Sequence, residues 1–132
     1  MSKNFLWASV HKPMPEELQE IAQSAEKTTV VYLDAVNPDL LHKLSNIPED
    51  VEVKDLAKIA EEILKYCVKQ KYILVQCAGS PMFHKVLGLY SGSYPEVKIW
   101  DAHSVRKSVD VPQEDGTILK KSIFKHIKFL KF

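Results

Sequence analysis

Arginine is almost missing from this chain, with Arg106 standing alone among 18 basic residues in 132. Duplex nucleic acid is read largely through arginine and a recognition helix, so the sequence argues against duplex DNA as a partner. Glycine is scarce too, at four residues, and neither GxGxxG nor GxxxxGK[ST] occurs, which removes a dinucleotide fingerprint and a P-loop. The two cysteines, Cys67 and Cys77, lie ten apart in apolar runs without CxxC spacing and read as buried thiols. HExxH, HxH and GxSxG are absent, and His11, His42, His84, His103 and His126 are scattered, so no metal or other cofactor is expected. No run approaches the roughly 20 apolar residues that span a bilayer, and no basic segment leads into a long apolar stretch near Met1. A soluble, cytoplasmic protein without membrane contact is the expectation.

What is present suits one domain. Hydrophobic residues make up 45% and charged residues 27%, enough to bury a core without staples. The net charge of +1 hides an asymmetry. Residues 1–66 carry 7 lysines against 12 acids, a balance of −5, whereas residues 67–132 carry 11 basic residues against 5 acids, a balance of +6. Such polarity suits an anionic ligand or a self-complementary assembly, and equally a solvated face.

Hydrophobic spacing orders the elements. Asn4–Val10 is a short apolar run ended by His11-Lys12-Pro13, as for a strand buried on both faces. Pro15 with Glu16 and Glu17 opens a helix carrying Leu18, Ile21, Ala22 and Ala25, expected to end near Lys27. Thr28–Leu33 is a second strand, followed by a connection over 34–50 with one short helix around Leu40–Leu44. Val53–Val68 has apolar residues every three or four positions, the strongest helical pattern in the chain. Tyr72–Gln76 is a third strand, and Ser80-Pro81 caps the next helix. Val97–Trp100 is a fourth strand; Val105–Val111 and Thr117 onward form a hairpin around 112–116, although Ile123, Ile127 and Leu130 also fit a helical stripe. The fold class is therefore α/β, a Rossmann-like parallel sheet with flanking helices and a C-terminal β-hairpin extension. It forms a single domain over 1–132, with an α/β core over 1–102 and a basic β extension over 103–132.

With strand order 2-1-3-4, ligands bind beyond the carboxyl ends of strands one and three. That crevice lies between Ser9-Val10-His11-Lys12 and Gln76-Cys77-Ala78-Gly79-Ser80. The second loop offers free amides at a helix N-terminus, with Gly79 permitting close approach; the first offers a hydroxyl, an imidazole and an ammonium. Together they suit a phosphodiester, although such helix starts often hold only water and His11 can equally be a solvated loop histidine. His84, one turn beyond Ser80, reads mainly as solvent-facing. Lys125-His126-Ile127-Lys128 is either a basic segment closing over an anionic ligand or a charged edge that discourages aggregation.

Four segments together resemble a known family: Ser9-Val10-His11-Lys12, Leu44-Ser45-Asn46-Ile47-Pro48, Ile73-Leu74-Val75-Gln76, and the tail from Lys120-Lys121-Ser122 through Phe129. The chain resembles the small CRISPR-associated ring nucleases and related binders of cyclic oligoadenylate, similar in fold to the sensor domains of type III CRISPR systems. The resemblance implies a homodimer enclosing one cyclic oligoadenylate, with cyclic tetra-adenylate favoured, and a metal-independent ribonuclease that switches off antiviral signalling. In that chemistry the ribose 2′-hydroxyl must lie in line with its phosphorus, with donors for the developing phosphoryl charge. His11 would position or deprotonate the hydroxyl, Lys12 would offset charge, and the Gly79 and Ser80 amides would hold the phosphate. Ser9 or Gln76 would contact ribose or base, Lys125 would bind the ligand and His126 would protonate the leaving oxygen. The chain departs from the family at Cys77-Ala78, where a longer loop with a Gly-Asp pair is common, and this bears on catalysis more than on binding. Other readings are a non-catalytic binder of the same messenger, a phosphocarrier with His11 as acceptor, and a protein-interaction module using the basic tail.

Overall fold

The computed structural model describes residues 2–131, and for Arg106, Lys107 and Phe124 it describes the backbone alone. Short β-branched and apolar runs become strands β1 (Ser2–Trp7), β2 (Lys27–Tyr32) and β3 (Ile73–Val75). They pair in parallel with β4 (Ile99–Pro112), and β5 (Ile118–Lys131) closes the sheet antiparallel to β4, in the order β2-β1-β3-β4-β5. The protein is thus mixed α/β with a mostly parallel sheet, flanking helices and C-terminal antiparallel strands, in the spatial order that the sequence implies.

Five helices connect the strands. α1 (Pro15–Gln23) starts at Pro15, and the Glu17 carboxylate accepts the Met14 N–H at 2.9 Å. It ends four residues before the expected Lys27, because the Ser24 backbone and hydroxyl both donate to the Ile21 carbonyl and Lys27 already belongs to β2. The 34–50 connection holds two helices where one was expected. α2 (Leu33–Val36) follows β2 directly, and α3 (Pro38–Ser45) is capped by Asn37, whose side chain accepts the Leu40 N–H at 3.3 Å. α4 (Val53–Gln70) ends at left-handed Lys71, and α5 (Pro81–Ser91) begins at Ser80, whose hydroxyl oxygen accepts the Phe83 N–H at 3.2 Å.

The sheet separates two cores. Leu6, Leu33, Leu44, Leu64, Leu74 and Phe83 belong to the larger, which packs α2–α5 on one face. Phe5, Trp7, Ile21, Val75, Trp100 and Phe129 form the smaller, under α1. Phe5 meets Trp100 edge-on at 4.9 Å, and Phe129 lies 5.8 Å from the same ring. The tail is strand throughout its described length, to Lys131, and the helical alternative for Ile123, Ile127 and Leu130 falls; Phe132 lies outside the described residues. Pairing decides this, since thirteen register partners run from Trp100↔Lys131 to Pro112↔Ile118. The separate strands expected at 97–100 and 105–111 are one strand of 14 residues, bent by a bulge at His103/Ser104. Within the extension over 103–132, Phe129 and His126 are buried at the base of the hairpin, and Phe129 joins the smaller core. No helix among the described residues is long and apolar enough to cross a membrane.

Candidate functional site

β1 and β3 are neighbours, and both chains leave the sheet at the same end. The backbone extends the pairing past the strands: Ala8 N–H donates to the Val75 carbonyl at 3.1 Å, and Ala78 N–H to the Ala8 carbonyl at 2.7 Å. The two loops therefore separate only after Ala8 and Ala78. Between them lies a crevice of about 450 Å³ lined by Ser9, Val10, His11, Leu44, Ser45, Ile47, Ala78, Gly79 and Ser80.

Each wall is fixed by its own sequence. Trp7, buried in the smaller core, donates its indole N–H to the His11 carbonyl at 2.7 Å, and the Ser9 hydroxyl accepts the His11 N–H at 3.2 Å. The opposite wall turns on Gly79, at φ 132°, where an added Cβ would stand 2.5 Å from Cδ2 of Phe83. Only glycine fits that backbone and that contact. Ser80 caps α5, so the Gly79 and Ser80 amides, which have no partner among the described residues, stand at the positive end of that helix. Donors of this kind hold an anionic oxygen.

The structure sorts the expected site residues. Ser9, His11, Gly79 and Ser80 line the one crevice. Gln76 lies beside it, in a smaller pocket shared with Ser9, Cys77, His84, Asp101 and Ala102. Its side-chain oxygen accepts the Ala102 N–H at 2.8 Å, and its backbone is left-handed at φ 50°, so Gln76 holds β4 beside the end of β3. His84 is exposed, as expected, and donates its Nε2–H to the Cys77 carbonyl at 2.8 Å.

Besides Gln76, three expected residues stay out of the crevice lining. Lys12 turns to Asp34, with Nζ 3.1 Å from Oδ2, and stands 4.8 Å over the Tyr32 ring, so its charge is matched by a carboxylate in the first turn of α2. Lys125 is exposed on β5. His126 is buried against α1, where Nε2–H donates to Glu20 Oε1 at 2.9 Å and Nδ1 has no partner among the described residues. The same carboxylate accepts the Phe129 N–H at 3.0 Å, which makes His126 part of the hairpin's anchor.

Leu44, Ser45 and Ile47 line the crevice although no site role was assigned to them from the sequence. Their signal was the segment Leu44–Pro48, conspicuous only as part of the family resemblance. The two cysteines are buried, and desolvation pushes the Cys67 thiol up to about 12 and the Cys77 thiol further. Neither is a nucleophile at neutral pH. No group of three or more His, Cys, Asp or Glu among the described residues is placed to hold a metal ion.

No curated protein and no solved structure matches the chain. Residues 3–130 match the model of the uncharacterized protein MJ1673 family, and with nearly its whole length inside that match the chain belongs to this family.

Proposed function

We propose that the protein is a metal-independent ring nuclease that binds cyclic oligoadenylate, with cyclic tetra-adenylate favoured, in the crevice between the ends of β1 and β3. The observation that carries this reading is the convergence on one crevice of the Gly79 and Ser80 amides with the His11 loop. The amides hold a phosphate, and His11 takes the proton from the ribose 2′-hydroxyl as that oxygen attacks the adjacent phosphorus. The bond to the 5′-oxygen breaks, leaving a 2′,3′-cyclic phosphate, and the departing oxygen takes a proton from water at the open mouth. Leu44 and Ile47 offer an apolar wall to a base or ribose.

Sequestration without cleavage is the second reading, favoured by the engagement of Lys12 with Asp34 and of His126 with Glu20. Incubation in EDTA with cyclic tetra-adenylate and cyclic hexa-adenylate, followed by liquid chromatography, separates the two. Linear products ending in cyclic phosphate support the nuclease, an intact ring eluting with protein supports the binder, and no association with either ring overturns both.

A further inference from the structure

We infer that the β4–β5 hairpin is an exchanged arm, which in a dimer lies across the crevice rim of a second copy and brings lysines to it. β4 runs parallel to β1 and β3, so its continuation passes beyond the sheet at the crevice end. From its last partner in β3, at Trp100, it continues twelve residues to Pro112, a reach of about 40 Å at ~3.3 Å per residue. Within that arm Val105, Val109, Val111, Leu119 and Ile123 share one face by register. None joins either core, and Leu119 and Ile123 are 58% and 40% exposed. Val105, Val109 and Val111 are half-buried, so the face is exposed along β5 and partly covered along β4, and a long amphipathic hairpin of this kind has the form of an interaction surface.

Charge selects the occupant. β5 carries five lysines and no carboxylate, and Lys121 and Lys125 lie on the same face as the apolar stripe. Two arms meeting face to face would set these lysines against one another. The crevice rim is their complement. The 34–52 segment, which leads from the end of β2 past the crevice wall to α4, holds five exposed carboxylates; Asp34 pairs with Lys12 and Glu52 with Lys54, which leaves Asp39, Glu49 and Asp50, while its one lysine, Lys43, pairs with Glu62. Val36 within that segment and Val53 just after it, 45% and 63% exposed, offer apolar contact. Among the described residues no lysine or arginine lines the crevice, and no arm residue of the same chain reaches it. Among the described residues the crevice lining thus offers an anionic ligand amides and an imidazole but no lysine or arginine, and the arm of a second copy would add one. Two copies joined by a two-fold axis with their crevice ends facing would each lend an arm to the other, a closed, self-complementary arrangement. The arm's role at the ligand rests on the function proposed above; its role in assembly does not.

The test uses the full chain carrying a photocrosslinking amino acid at Leu119, with light- and heavy-isotope copies mixed, beside a Val111→Asp/Leu119→Asp variant. Sedimentation velocity of the unlabelled wild type is expected to show a dimer, and the variant a monomer with unchanged circular dichroism. Crosslinks are expected between light and heavy chains and within residues 34–53. The variant's affinity for cyclic tetra-adenylate should fall at least about tenfold, since the steering and neutralising charge leaves with the arm. A monomeric wild type, a dimer indifferent to the double substitution, or crosslinks confined to one chain would overturn the exchange. A dimer that crosslinks as expected but does not retain cyclic tetra-adenylate supports the exchange and overturns the ligand.

Discussion

Gly79 concentrates two constraints in one residue, a backbone at φ 132° and a Phe83 ring carbon 2.5 Å from where a Cβ would stand. Gly79→Ala is therefore expected to cost about 2 kcal/mol or more in urea unfolding, and to misplace the neighbouring amides. His11 is the contrasting residue, exposed and held among the described residues through its backbone, so removing its imidazole leaves the loop intact. His11→Ala should lower turnover of cyclic tetra-adenylate by about tenfold or more with affinity within a few fold; equal loss of both would make it a binding residue. The thiols give a pH prediction. Burial raises Cys67 from an ordinary 9.0 to about 12, so the folded state favours the protonated form. The contribution to stability is full below about pH 9 and is lost as pH rises toward 12, where the unfolded chain has ionised first. Urea midpoints should fall over that window, and Cys67→Ala should flatten the fall.

Among the elements, β5 depends on α1 through Glu20, whose carboxylate accepts both the Phe129 N–H and the His126 Nε2–H. Glu20→Ala leaves a buried ring nitrogen and a strand amide without acceptors, and should destabilise by about 1–3 kcal/mol. Glu16→Ala, on the same helix and exposed, should stay within about 0.5 kcal/mol, a comparison that thermal unfolding of both variants provides. The family resemblance implied His126 as a proton donor, yet strand alternation turns it inward while Lys125 faces solvent. Helix starts were legible because proline and a capping serine act locally at Pro15, Ser80 and Pro81. The end of α1 was not, since Lys27 is drawn into β2 by its pairing with Ser2.

Over the whole molecule, charge and shape divide in the same way: an acidic α/β body with the crevice at one end, and a basic hairpin rising beyond that end. The hairpin's base is core and its tip is not. Replacing residues 107–123 by Asn-Gly, a turn suited to two-residue hairpins, should leave the body folded with little change in midpoint on thermal unfolding. Removing residues 103–132 should prevent folding, because Phe129 would no longer cover Trp100.

Local chemistry in the sequence determined the element types before the tail, the parallel α/β order and the two crevice walls after β1 and β3, because strand runs, helix caps and the Gly79-Ser80 turn each act within a few residues. Tertiary structure alone decided which charged side chains belong to that crevice. Lys12 goes to Asp34, 22 residues away, and His126 goes to Glu20, 106 residues away. Long polar side chains take the nearest counter-charge or acceptor in space, and that neighbour is set by the packing of α1 and the bend of the hairpin rather than by residues adjacent in the chain.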